Sequence, residues 1–87
     1  MAKSRYKGPH EGKAIHEIAK LAFDDWRPMS RDARPYASAM MACARVTDTY
    51  GCETAHDMVA YFLANAAGWK GDVAREAKRY LSSLLKE

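Results

Sequence analysis

The chain has 87 residues, of which 48% are hydrophobic and 29% charged, and a formal net charge of +3. That length allows one small domain burying roughly 60–65% of its unfolded surface, and the composition excludes a disordered chain. No apolar run approaches the roughly 20 residues that span a bilayer. The leader MAKSRYKGPHEGK is basic but lacks the apolar stretch of a secretory signal. The expectation is a cytoplasmic protein without membrane contact.

The excess charge is concentrated at one end. Lys3, Arg5, Lys7 and Lys13 stand against Glu11 alone in the first 13 residues, whereas the remainder carries ten bases and ten acids. Residues 1–11 are accordingly read as a flexible basic arm able to touch phosphates or an acidic protein surface. Residues 12–87 are read as a single helical domain.

The first helix is expected over about residues 12–26. Ile15, Ile18, Ala19, Ala22 and Trp26 recur at three- and four-residue steps, which lays them along one stripe. Pro28 ends it, because it lacks an N–H and disfavours helical geometry at Arg27. The second helix is expected over about 33–50, with Asp32 as N-cap and Gly51 as a left-handed stop. Tyr36, Met40 and Cys43 form one apolar face and Ala37, Met41 and Ala44 another, which suggests a central helix.

The third helix is expected over about 55–67. Thr54 and Asp57 have capping-box spacing, and Ala55, Met58, Val59, Phe62, Leu63 and Ala66 keep the helical period. Gly68 closes it, with Trp69 packing back. The fourth is expected over about 73–86, N-capped by Asp72, with Val73, Ala77, Tyr80, Leu81 and Leu84 inward. No segment alternates apolar and polar residues over strand length. The fold class is therefore all-α, a small bundle or orthogonal array of about four helices.

Chemistry-bearing motifs are absent. Cys43, Cys52 and His56 lack the tight spacing of a zinc knuckle, and Cys43 falls on an inward face. HEIAK at 16–20 has Lys20 where a zincin needs its second histidine. No nucleophile, base and acid share a local motif, and no glycine-rich phosphate loop is present. The protein is expected to be no enzyme and to need no cofactor or metal.

Two binding classes remain. Ala64 and Gly68 have the spacing of a helix-turn-helix, with Trp69, Ala74 and Ala77 at its locking positions. The last helix would then read DNA through Lys70, Arg75, Lys78 and Arg79, with the arm on phosphates. Asp72 and Glu76 oppose this, since acids at the leading turn repel phosphates. The other class is protein contact. Nine aromatics exceed the evident needs of so small a core, and Trp26, Tyr61 and Trp69 are of the kind that anchor interfaces beside arginine.

The favoured expectation is a non-enzymatic protein that regulates or inhibits a larger intracellular protein or nucleoprotein complex by surface contact. Its candidate residues are Lys3, Arg5, Lys7, Trp69, Lys70, Arg75, Lys78 and Arg79, with Trp26 and Tyr61 as an aromatic interface. Size and style match the small phage and mobile-element inhibitors of nucleic-acid or defence complexes, anti-CRISPR proteins included. The alternative is a helix-turn-helix regulator using residues 55–86, with direct nucleic-acid contact. A homodimer is compatible with either.

Overall fold

Four short amphipathic helices converge on one core in the computed structural model, which describes residues 8–51 and 53–86. In chain order these are α1 (Ile15–Asp25), α2 (Arg34–Met40), β1 (Thr49–Tyr50), β2 (Glu53–Thr54), α3 (Ala55–Ala64) and α4 (Asp72–Leu84). The chain is a small all-α domain whose two-residue strands form a single hairpin. No helix among the described residues is long and apolar enough to cross a membrane.

The inner stripe of α1 is the one its period predicts: Ile15, Ile18, Ala19 and Ala22 are buried. Glu17 reaches back to accept the Ala14 N–H at 2.9 Å, one limb of a capping box. Two further N–H groups at this helix start, which have no partner within the helix, donate across the fold. Ile15 donates to the Ala44 carbonyl and His16 to the Cys43 carbonyl, both at 2.9 Å.

Those two bonds bear on the main correction to the predicted elements. Helix two does not run over 33–50; α2 stops at Met40 after seven residues. The chain beyond it spends its polar groups elsewhere. Cys43 and Ala44 give their carbonyls to α1, and the Asp48 carboxylate accepts the Ala44 and Arg45 N–H groups at 2.7 and 3.0 Å. Val46 and Asp48 carbonyls accept from His56 and Ala55 at the start of α3. Val46, Thr47 and Thr49, β-branched and poor helix formers, follow this path readily. Gly51 does have the positive φ expected of it, +67°, but it turns the hairpin pairing Thr49 with Thr54 and Tyr50 with Glu53 rather than capping a helix.

α3 begins as its spacing predicts, with Thr54 Oγ1 accepting the Asp57 N–H at 3.2 Å. Its buried face, Ala55, Met58, Val59 and Phe62, packs chiefly on α2. Gly71, with φ +107°, is the N-cap of α4, so Asp72 lies inside the first turn rather than capping it. Ala74, Ala77, Tyr80 and Leu81 face the core, but Val73, read as inward, is 40% exposed.

The arm needs a partial correction. Lys3, Arg5 and Lys7 lie outside the described residues, but residues 8–11 belong to the folded body. His10 is buried against the Tyr80 ring, and Glu11 N–H donates to the Gly8 carbonyl at 3.2 Å. The Tyr80 hydroxyl donates to the Lys13 carbonyl, tying this segment to α4.

Candidate partner-binding surface

The predicted site residues do not form one surface. Trp69 is 1% exposed, which overturns its assignment as an anchor for a partner. It lies nearly parallel to Trp26 with ring centroids 6.1 Å apart, and Phe62 meets it edge-on at 6.2 Å. Its indole N–H donates to Asp25 Oδ2 at 2.8 Å, which satisfies the one polar atom such burial strands. Trp26 is half-buried and presents its edge to Phe62. Three of the nine aromatics are thus taken up by one ring cluster.

The cations of α4 are similarly engaged. Lys78 Nζ donates to the Ala66 carbonyl at 2.9 Å and the Trp69 carbonyl at 2.7 Å, closing the carbonyl end of the α3–α4 connection. Burial, and to a smaller extent Lys70, pulls its pKa below the ordinary lysine value. Lys78 is a structural cap and not a hand held out to a partner. Arg79 grips Glu76 through both carboxylate oxygens at 3.0 and 2.9 Å, and Arg75 pairs with Asp72 at 3.1 Å. Lys70 is exposed.

α3 ends at Ala64 and α4 begins at Asp72, so residues 65–71 form a seven-residue connection. That exceeds the three or four residues usual in a helix-turn-helix. The locking positions Trp69, Ala74 and Ala77 are buried, as in any helical hairpin.

Tyr61 remains. It flanks the buried face of α3, 46% exposed, and its ring lies 5.3 Å from that of Tyr36 on α2, tilted by 47°. The Asn65 amide donates to the Tyr61 carbonyl at 2.8 Å and fastens the last turn beneath it. The pair therefore stands on the most extensively packed helix pair of the fold. Tyr36, read on an apolar face of helix two, is partly buried and packs against the core while its ring meets Tyr61.

Metal chemistry finds no support among the described residues, where no three His, Cys, Asp or Glu side chains converge. Cys43 is buried with Sγ directed at the Ala39 carbonyl, 3.5 Å away, and burial, helped by Asp48, pushes its thiol pKa up. His56 Nε2 meets the Leu85 carbonyl at 3.3 Å. Cys52 lies outside the described residues. No family model, curated protein or solved structure matches the chain.

Proposed function

We propose that this protein is a small non-enzymatic binding module that regulates a larger partner by protein–protein contact through the Tyr36–Tyr61 face. One observation carries the proposal: Tyr61, 46% exposed on α3, pairs its ring with the partly buried Tyr36 of α2. Tyrosine offers large contact area at small entropic cost, with a hydroxyl that stays wet until a partner arrives. The pair rests on a rigid base, so little ordering cost is left for binding.

The helix-turn-helix alternative draws less support. Its reading helix sets the acids Asp72 and Glu76 beside Arg75 and Arg79, where they oppose an approaching phosphate, has Lys78 turned to backbone carbonyls, and follows a long connection. Phosphate binding requires cations free to displace counterions.

The test is photo-crosslinking from position 61. A benzophenone-bearing phenylalanine replaces Tyr61, and a control carries it at exposed Lys86; both are expressed in the source cells. The contact predicts a discrete adduct with one larger protein from position 61 and none from position 86. Failure to form any adduct from 61, together with salt-sensitive binding to random duplex DNA, would transfer the assignment to α4.

A further inference from the structure

A second feature lies at the junction of three segments that the Tyr36–Tyr61 face does not include. Gly12 to Ala14 and Glu17 at the start of α1, residues 44–47, and Tyr80 with Leu84 on α4 line a cleft of about 570 Å³ that is open to solvent on one side. That is within the range of small-ligand sites, which run roughly 300–1,000 Å³ and place a few polar groups among apolar walls. Here the walls are Ala14, Ala44, Val46, the Tyr80 ring and Leu84, and the charged groups are Lys13, Glu17 and Arg45.

The cavity is held open by bonds already formed around it. Ile15 and His16 amides fix the 43–44 carbonyls, and the Tyr80 hydroxyl fixes the Lys13 carbonyl. The charges are not equivalent. Glu17 is committed to the Ala14 N–H, and the Lys13 ammonium lies 3.4 Å from His10 Nδ1. Asp48, outside the lining, holds its carboxylate on two backbone N–H groups. The Arg45 guanidinium forms no ion pair within 4 Å among the described residues, although it faces the Asp48 carboxylate closely enough to lower its pKa, and with Lys13 it gives the lining an excess of positive charge.

We infer that this cavity binds a small apolar carboxylate, its hydrocarbon body against Ala44, Val46 and Leu84 and its carboxylate on Arg45. A planar guanidinium matches a carboxylate with two parallel hydrogen bonds, which a point charge does not. Such a ligand would bridge α1, the 44–47 segment and α4, and so act on the stability of the whole domain by mass action.

The experiment is an amide-resolved NMR titration of the intact protein with 4-phenylbutanoate, acetate and 4-phenylbutanol. The expected result is saturable shifts of the Ala14, Ala44, Val46 and Leu84 amides by 4-phenylbutanoate, with Kd on the order of 1 mM for so small a ligand. Acetate should produce none, and the neutral alcohol should bind about fivefold more weakly or worse. Arg45→Gln, at an exposed site that leaves the core intact, should weaken 4-phenylbutanoate by a similar factor. No saturable shift at about tenfold above that concentration, or shifts centred elsewhere, overturns the site. Equal affinity in Arg45→Gln overturns the carboxylate assignment. Crosslinking at position 61 is untouched by any of these results.

Discussion

Trp69 and Asp25 are joined by an indole N–H to carboxylate bond of 2.8 Å that spans 44 residues of sequence. The bond fastens the α3–α4 connection to the end of α1, and it converts the most obvious interface residue of the chain into the centre of its core. Trp69→Ala should therefore cost about 3–5 kcal/mol, enough to unfold a marginal domain of this size. Asp25→Ala should cost less, about 1–3 kcal/mol, because it strands one buried donor and leaves the ring in place. Urea unfolding of each variant checks both values. Equal stability of Trp69→Ala and wild type would mean that the indole is not in the core.

Lys78 invites a different expectation from its neighbours on α4. Its ammonium serves two backbone carbonyls that face it across the turn, whereas Arg75 and Asp72 pair in open solvent. Lys78→Met keeps the aliphatic stem and removes the donor, and should destabilise by about 1–2 kcal/mol. Arg75→Ala should stay within about 0.5 kcal/mol. Comparing denaturation midpoints at constant slope separates the two.

Acid should reach the fold through Asp48. The Arg45 and Ala44 N–H groups, in that order, hold its carboxyl below the ordinary carboxylate range. A depressed folded-state pKa contributes stability that is fully present above the unfolded value and is lost as pH falls through the folded one. The melting-temperature difference between wild type and Asp48→Ala should accordingly be largest near neutrality and shrink as pH falls into the acid range. His10 adds a second window. Desolvation, then Lys13, lowers its pKa against an opposing influence from Glu76, so its contribution is complete above its ordinary value of 6.5 and declines as pH drops below it. A pH-independent gap between wild type and Asp48→Ala would remove Asp48 from this role.

Periodicity carried most of the helical reading, and its failures have a common cause. Ile15, Ile18, Ala19 and Ala22, or Ala55, Met58, Val59 and Phe62, bury as spaced, because each stripe lies within one uninterrupted helix and local geometry decides it. Residues 41–50 continued the same apolar rhythm, yet the α1 amides and Asp48 claim the backbone that a longer α2 would have used. Those partners are distant in sequence or depend on a side chain's aim, so no local pattern announces them.

The same limit governs the site. Arg75, Lys78 and Arg79 are visible as a basic helix face in the sequence, and the i,i+3 spacing already sets Asp72 and Glu76 beside the two arginines, but the turn of Lys78 onto the Ala66 and Trp69 carbonyls is a tertiary fact. Tyr61 was legible because it falls off the α3 stripe. Tyr36 was legible as an aromatic of the interface-anchoring kind but not as the neighbour of Tyr61, since that pairing depends on how α2 meets α3. The cavity beside Arg45 requires α1, the 44–47 segment and α4 to meet, and nothing in their separate patterns states that they do.

The most direct measurement is the affinity of the crosslinked partner, once identified, for wild type, Tyr61→Ala and the Arg75→Ala/Arg79→Ala double variant, at about 50 and 200 mM salt. A contact centred on the tyrosine pair predicts a loss of about thirtyfold in Tyr61→Ala, a small change in the arginine variant and weak salt dependence. Undiminished binding by Tyr61→Ala, with loss in the arginine variant and a steep fall with salt, would contradict it.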